Sequence, residues 1–274
     1  MKLAYTAAGA SALLSLSLSG ASAEVQVCTE IAALPAVITQ QGIYCLKKDL
    51  STSITSGFAI TIDTSNVTIE MNGYKLGGLS AGNNTQAYGI YANSRQNITI
   101  RNGTIRGFLH NVSLVGSGSG HLVEGIRSDA GRESGIAVYG SNNTIRDNMV
   151  FNTGNGLFNT SWAIVASSGS SITVSGNTIG GVTETDMVYG IVAFSTDGAV
   201  IQGNRISGLQ AATMRGISAT GSGAVIRDNI VSNAVTGSTG IMGGSILDGC
   251  INNVVRNFAT STSGCEHLSG NQSF

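Results

Sequence analysis

A short phrase of alternating apolar and polar residues recurs along the chain roughly every 25 residues, which is the signature of a repeat protein. The apolar residue expected to point inward defines one column, here called the inward column: Ile69, Ile100, Val123, Ile145, Val174, Ile201, Ile226 and Cys250. A second strand signal keeps step with it, at Ala59-Ile60, Gly89-Ile90, Asn111-Val112, Gly135-Ile136, Ala163-Ile164, Gly190-Ile191, Gly216-Ile217 and Gly240-Ile241. Short β-patterned runs joined by Gly and Asn turns predict an all-β solenoid of about eight coils over residues 58–257.

The composition supports one folded domain and excludes several classes of partner. Charged residues make up 11% of the chain, against about 25% in typical soluble proteins, while apolar residues make up 42%. Apolar residues at this level, alternating with small polar ones, indicate a packed core and not a disordered chain. The formal net charge is −1 and no Lys/Arg-rich run occurs. The sequence therefore predicts no nucleic-acid partner and no binding to an anionic membrane surface.

The two ends of the chain differ from the repeats. Residues 1–23 contain Met1-Lys2, an apolar stretch and Ala21-Ser22-Ala23, a pattern that predicts a signal peptide and a secreted or periplasmic location. Because that apolar stretch is interrupted by Ser, Thr and Gly, it is too weak for a transmembrane segment. Residues 24–57 and 258–274 are predicted to form N-terminal and C-terminal caps, which cover the end strands of a solenoid. We expect the protein to be a monomer.

The four cysteines fall into two pairs that are local in sequence, one pair at each end of the chain. In an oxidising compartment the expected disulfides are Cys28–Cys45 and Cys250–Cys265. Closing a loop of this size stabilises a protein by about 3 kcal/mol in the chain-entropy description. The alternative interpretation is that the four cysteines are buried free thiols.

An Asn follows the inward column by three residues in five successive coils: Asn148, Asn177, Asn204, Asn229 and Asn253. Asn tolerates the left-handed backbone conformation that a sharp corner needs. Stacked at the strand spacing of about 4.8 Å, such side chains also hydrogen-bond to one another as a ladder. We therefore assign these residues a structural role.

Three segments carry a resemblance to a known group of proteins: Cys28…Cys45-Leu46, Asn-Val-Thr-Ile-Glu-Met-Asn-Gly at 66–73, and Asn-Ile-Thr-Ile-Arg-Asn-Gly-Thr-Ile-Arg-Gly-Phe at 97–108. Over residues 28–257 the chain resembles bacterial secreted right-handed parallel β-helix proteins, the pectate-lyase-like group that includes the periplasmic NosD-type repeat proteins. The resemblance implies a right-handed parallel β-helix. It also implies action on carbohydrate polymers, since the group contains lyases, hydrolases and epimerases beside members without assigned chemistry.

The outward residues next to the inward column alternate in charge over four coils: Glu70, Arg101, Glu124 and Arg146. One interpretation is an exposed ladder of salt bridges, each contributing about 0–1 kcal/mol to stability. The other is a polar track that binds a polyanionic or hydroxyl-rich chain, with Glu70, Arg101 and Arg146 as substrate-binding residues.

The densest polar segment, residues 121–133, supplies the candidate catalytic residues. A uronate lyase needs a cation that neutralises the substrate carboxylate and a base that takes a proton. Arg127 or Arg132 is a candidate for the first role, and Glu124, Asp129 or His121 for the second. A hydrolase with two carboxylates would instead use Glu124 with Asp147 or Asp129. Glu124 or Asp129 is alternatively a Ca²⁺ ligand, whereas the scattered His and terminal Cys do not suit zinc or copper.

Aromatic residues make up only 5% of the chain, so their positions are informative. An extended coil places Phe158 and Trp162 beside a Gly/Asn turn. Trp162 takes the position that Tyr88 and Tyr189 hold in other coils, so it serves either packing or sugar stacking. The sequence thus predicts recognition, and cleavage or epimerisation, of an extracellular or periplasmic polysaccharide. The alternative is a non-catalytic surface, adhesion or scaffold protein.

Overall fold

The structure is a computed structural model that describes residues 27–274, so the predicted signal peptide lies outside the described residues. The chain is a right-handed parallel β-helix of about nine turns, which confirms the predicted fold class. One short 3₁₀ helix spans Leu79–Ala81. The strands, in chain order, are β1 Thr29–Glu30, β2 Ala36–Ile38, β3 Gly42–Cys45, β4 Leu50–Ser51, β5 Phe58–Ile62, β6 Val67–Glu70, β7 Lys75–Gly77, β8 Tyr88–Asn93, β9 Ile98–Arg106, β10 His110–Val115, β11 Leu122–Asp129, β12 Ser134–Tyr139, β13 Thr144–Arg146, β14 Met149–Gly154, β15 Thr160–Ser170, β16 Thr173–Ser175, β17 Thr178–Thr183, β18 Met187–Asp197, β19 Val200–Gln202, β20 Arg205–Gln210, β21 Thr213–Thr220, β22 Val225–Arg227, β23 Ile230–Ile251, β24 Val254–Ser269 and β25 Gln272–Ser273.

Each turn of the helix lays strands on three faces, and neighbouring strands on a face are parallel. Face 1 consists of β1, β3, β6, the first halves of β9 and β11, β13, β16, β19 and β22. Face 2 consists of β4, β7, the second halves of β9 and β11, β14, β17 and β20. Face 3 consists of β2, β5, β8, β10, β12, β15, β18 and β21. The long strands β23 and β24 run over all three faces and form the last turns.

The inward column predicted from the sequence is confirmed on face 1. Its members pair in register from each turn to the next, from Ile69–Ile100 at one end to Ile226–Cys250 at the other. None is more than 1% exposed. The second series stacks in the same way on face 3, from Ile60 to Ile241. Two stacks of buried aliphatic side chains thus fill the interior, each side chain contributing about 1.5–3 kcal/mol.

The predicted Asn ladder is present at the corner between faces 1 and 2. Each ladder Asn donates from Nδ2 to the Oδ1 atom of the Asn one turn further on, at 3.0 Å, from Asn148 through to Asn271. The same Nδ2 group also donates to a backbone carbonyl of the preceding turn, as Asn177 does to Ile145 at 3.0 Å. The ladder therefore satisfies buried backbone groups at a bend, where strand pairing is interrupted.

The prediction that the ladder residues themselves adopt the left-handed conformation was wrong. The residue before each one has positive φ instead, at Asp147 (55°), Asp228 (57°) and Asn252 (53°), with Gly in the equivalent position of other turns. The preceding residue makes the bend, so the ladder Asn does not need the left-handed conformation. Its side chain points inward and hydrogen-bonds to the backbone.

Parallel strands continue into both segments that the sequence analysis assigned to caps. Strands β2, β3 and β4 pair with β5, β6 and β7, and β25 pairs with β24. Both predicted disulfides are formed, Cys28–Cys45 and Cys250–Cys265, so each end of the stack is cross-linked to its neighbouring turn. Within residues 27–274, no helix has the length and apolar character needed to cross a bilayer.

Candidate functional site

The charged column of face 1 is occupied by side chains that bind one another. Arg101 Nε lies 2.7 Å from Glu70 Oε2, and Arg146 Nη2 lies 2.6 Å from Glu124 Oε2. Further along the same column Arg227 donates to Gln202 Oε1 at 2.6 and 2.9 Å. Each acid therefore meets a base one turn away, and the charges on this face cancel locally.

The four predicted catalytic residues are divided between faces 1 and 2. Glu124 lies on face 1, whereas Arg127 and Asp129 follow the corner at Gly125 and pair with β14 on face 2. Asp147 occupies the equivalent corner one turn further on, with φ 55°. The structure thus arranges these residues around the edge between two faces, and none of them lines a described cavity.

The residues on face 2 have partners of their own. Arg127 stacks over the Phe151 ring, with 5.3 Å between its guanidinium carbon and the ring centroid. Asp129 accepts from Asn152 Nδ2 at 2.9 Å and forms an ion pair with Arg106 at 3.1 Å. The Asp129 carboxylate and the Arg127 guanidinium are therefore already engaged within the protein.

Two further predicted substrate-binding residues are wholly or partly buried. His121 is 2% exposed, and its Nδ1 accepts a hydrogen bond from the Ile98 amide at 3.3 Å, which gives it a structural role in the coil wall. Burial lowers its pKa to about 4. Burial also lowers the pKa of Arg132, against the opposing effect of the Asp129 carboxylate. The Arg132 Nε atom is buried and has no hydrogen-bond partner within residues 27–274.

A groove of about 430 Å³ lies on the outer side of face 3. Its floor is formed by the buried side chains of Ala137, Val165 and Val192, which pair in register across β12, β15 and β18. Its walls are aromatic: Tyr139, Trp162, Tyr189 and Phe194. We call this feature the aromatic groove. It presents apolar and aromatic surface to solvent over three successive turns.

The aromatic character extends along face 3 toward the N-terminal end. The Tyr88 ring lies 4.7 Å from the ring of His110 and packs edge-on against Tyr91, while Phe58 stacks on Tyr91 with 4.0 Å between centroids. Trp162 pairs in register with Tyr189, as predicted. Two groups of rings therefore lie along face 3, one from Phe58 to His110 and the other in the aromatic groove, and Ser134 separates them in the register column.

One end of the aromatic groove is polar and consists of His110, Glu133 and Ser134. His110 Nδ1 lies 2.5 Å from Ser134 Oγ, and His110 Nε2 lies 3.5 Å from Glu133 Oε2. When the Ser134 hydroxyl donates to Nδ1, the imidazole carries its proton on Nε2 and directs it toward the carboxylate. The His110 and Glu133 side chains are only 15% and 16% exposed.

Burial controls the protonation of this polar end. It lowers the pKa of His110 to about 4, so the imidazole is neutral at pH 7. It raises the pKa of the Glu133 carboxyl, and the nearby Glu184 carboxylate adds to that effect. The same burial, together with Glu133, raises the pKa of Tyr139. A desolvated carboxyl group thus lies against a neutral imidazole, beside aromatic rings.

Trp162 was predicted from the sequence, whereas the other residues of the groove were not. The available signal was a loss of alternation on face 3, where Ile136-Ala137-Val138 and Ile164-Val165-Ala166 are apolar on both sides of the strand. On face 1 the equivalent outward positions are polar. Phe158, the other predicted aromatic contact, is 44% exposed and precedes by two residues Thr160, which lines the groove.

No described cluster of three or more His, Cys, Asp or Glu side chains within residues 27–274 is arranged to hold a metal ion. The predicted Ca²⁺ ligands, Glu124 and Asp129, are instead paired with arginine side chains.

Comparison with solved structures shows similarity to two β-helix proteins. The Dettilon tailspike protein aligns with a TM-score of 0.55 and 15% identity, over 88% of this chain and 57% of the tailspike chain. The A-module of the mannuronan C-5 epimerase AlgE6 of Azotobacter vinelandii aligns with a TM-score of 0.53 and 14% identity, over 86% of this chain and 75% of the module. At these identities the similarity shows the fold.

Sequence comparison identifies the family. No curated protein sequence matches the chain significantly. Residues 36–238 match the family described as periplasmic copper-binding protein (NosD). This match covers well over half of the chain, and the parallel β-helix with both disulfides formed is consistent with it. The chain therefore belongs to the NosD family of periplasmic β-helix proteins.

Proposed function

We propose that this protein is exported to the periplasm and binds a glycan chain in the aromatic groove of face 3. The observation that carries the proposal is the groove itself, a concave surface of about 430 Å³ with an apolar floor and aromatic walls. A ligand site of this type combines apolar and aromatic lining with a few polar groups that fix orientation. The polar groups here are His110, Glu133 and Ser134 at one end.

The geometry of the groove suits a linear sugar polymer. Trp162 and Tyr189 lie on adjacent turns, about 4.8 Å apart along the helix axis, which is close to the length of one hexose unit. Tyr and Trp combine a large apolar face with one polar atom, so they contact the C–H face of a sugar while donating to its hydroxyls. The rings of Phe58, Tyr88 and Tyr91 lie further along the same face, beyond His110 and Ser134, and offer additional stacking positions to a longer chain.

Periplasmic location is supported by three independent features. The predicted signal peptide at residues 1–23 would direct export, two disulfides need an oxidising compartment, and the family is described as periplasmic. One protein of similar fold is named for its action on mannuronan, a polysaccharide.

The copper in the family description does not fit the residues of this chain. Copper sites use His, Cys thiolate and Met ligands in close array. All four cysteines are in disulfides, and His110 and His121 are engaged with Ser134 and the Ile98 amide. Among residues 27–274, no described group of three or more His, Cys, Asp or Glu side chains is arranged to hold a metal ion. The proposed glycan binding does not depend on copper.

Cleavage or epimerisation of the glycan remains a prediction. It would need an acid and a base beside the bound sugar. The sequence assigned these roles to Glu124, Arg127, Asp129 and Asp147, which lie on faces 1 and 2 and do not line the aromatic groove. Glycan binding in the groove does not depend on that assignment.

The test is binding to a panel of polysaccharides by the wild-type protein and by two variants, Trp162→Ala and Arg146→Ala. Stacking of one aromatic ring contributes about 1.5 kcal/mol, so Trp162→Ala is expected to lower the affinity about tenfold. Arg146→Ala changes face 1 and is the matched control, with unchanged affinity. Loss of binding in Arg146→Ala alone would place the glycan on face 1. A protein that binds no glycan at all would favour the scaffold or adhesion role.

A further inference from the structure

The charge distribution around the aromatic groove restricts which glycans it accepts. Of the described residues that line the groove, Glu133 is the one acidic residue, and His110, whose pKa burial lowers to about 4, is neutral at pH 7. No Lys or Arg side chain is among these lining residues. When the Glu133 carboxyl is ionised, the polar end of the groove therefore carries a negative potential that disfavours an anionic sugar there.

The Glu133 carboxylate has no cationic partner among residues 27–274. Its nearest described polar contact is His110 Nε2 at 3.5 Å. A second carboxylate, Glu184, lies nearby and accepts hydrogen bonds from Ser161 Oγ at 3.0 Å and from the Gly156 amide. A partly buried carboxylate without a counter-charge is costly, and a ligand that brings a positive charge would relieve that cost.

The arginine in the same register column, Arg215, lies at the opposite end of the groove from Glu133. Arg215 follows Tyr189 in the same register position, stacks on the Tyr189 ring at 5.6 Å and donates to the Tyr189 hydroxyl at 3.3 Å. It lies three turns from Ser134 in the stack, or roughly 14 Å along the axis. Trp162 and Tyr189 therefore lie between Glu133, at one end of the groove, and Arg215, at the other.

Resting on the proposed glycan-binding function, we propose that the aromatic groove selects amino sugars, with the ammonium group of a 2-amino-2-deoxyhexose bound at Glu133. A carboxylate beside aromatic rings is the combination that recognises ammonium groups, since the ring faces and the carboxylate both attract a cation. The uronate polymers considered from the sequence are repelled at this position. The substrate class is a fully or partly de-N-acetylated glycan.

The test compares three oligosaccharides of equal length by calorimetry at pH 6: a glucosamine oligomer, its N-acetylated form and a uronate oligomer. At this pH the sugar amine is charged and His110 is still neutral. The glucosamine oligomer is expected to bind at least tenfold more tightly than the acetylated form. Glu133→Gln is expected to abolish this preference, so that the charged and the acetylated oligomers bind with equal affinity, while Arg215→Gln, the control at the opposite end, retains the preference.

The outcomes separate this inference from the proposed function. Equal affinity for the charged and acetylated oligomers, or tighter binding of the uronate, would overturn the amino-sugar selectivity and leave the glycan groove intact. Absence of binding by all three would overturn both. If Glu133→Gln does not fold, the wild-type preference is measured from low to high salt, where an electrostatic preference must shrink.

Discussion

Faces 1 and 3 of the β-helix are built on the same repeat but treat their outward side chains in opposite ways. On face 1 the acids and bases alternate, and Glu70 and Glu124 each bind an arginine one turn away. On face 3 the outward residues around the groove are mostly aromatic and apolar, and the described ion-pair partner of Glu133 is the imidazole of His110, which is neutral at pH 7. On face 1 the charged side chains pair with one another, so they stabilise the stack and leave few groups free to bind a ligand. On face 3 a carboxyl group and several aromatic rings face solvent, and such groups are suited to ligand binding.

The largest expected effect follows from replacing a residue of the shared interior. Ile145→Asp places a charge between Val123 and Val174, in a stack that supports all three faces, and no partner is available for that charge. We expect loss of the cooperative thermal transition and of glycan binding together. If the variant keeps its full cooperative transition in circular dichroism, the assignment of Ile145 to the buried inward column is wrong.

The second-largest effect is expected on acidification, which should lower the stability of the protein through two buried histidines. Burial lowers the pKa of His110 and His121 from 6.5 to about 4, so between these values the unfolded chain binds more protons than the folded one. The free energy of unfolding therefore falls as the pH decreases from 6.5 to 4, by on the order of 3 kcal/mol for each of the two histidines. The check is the melting temperature as a function of pH.

Two variants assign this acid sensitivity to particular groups. His110→Asn should make the dependence on pH shallower. The Glu133 carboxyl, whose pKa is raised, acts in the opposite sense, so Glu133→Gln should make the dependence steeper. An equal dependence in all three proteins would show that face 3 does not contribute.

A smaller effect is expected at the corner that joins faces 1 and 2. Asn177 donates to the Ile145 carbonyl and accepts from the Asn148 amide, both at 3.0 Å in a buried setting. Asn177→Ala leaves these two backbone groups unsatisfied, which costs about 2–4 kcal/mol. Denaturant unfolding measures the difference. Ser175→Ala, two residues earlier and on the outside of face 1, serves as the control with a change under about 0.5 kcal/mol.

The smallest effect is expected on the charged column of face 1. Arg146→Ala removes the ion pair between Arg146 and Glu124, in which the Arg146 side chain is 49% exposed. Exposed pairs contribute about 0–1 kcal/mol, so the free energy of unfolding should change by less than about 1 kcal/mol and respond to added salt. A loss several times larger would mean that face 1 charges hold the stack together.

The same comparison explains what the sequence predicted and what it missed. The inward column and the Asn ladder were predictable because each repeats at one register position, so several coils report the same signal. The aromatic groove was not, since Ala137, Val165 and Val192 look like ordinary strand interior until the register shows that they point outward. Residues 121–133 were predicted to supply the catalytic residues because ionisable side chains are densest in that segment. Charge density alone does not show that Glu124 and Asp129 already have arginine partners.

The most direct test of the glycan groove uses Trp162, the one tryptophan in the chain, whose fluorescence reports on the groove alone. Titration with a glucosamine oligomer should change the emission of Trp162 in a saturable way, with the same midpoint as the heat of binding. Tyr189→Ala should shift that midpoint to higher concentration, and Arg146→Ala should leave it unchanged. Saturable heat of binding with unaltered Trp162 emission would place the ligand elsewhere and contradict the aromatic groove as the functional site.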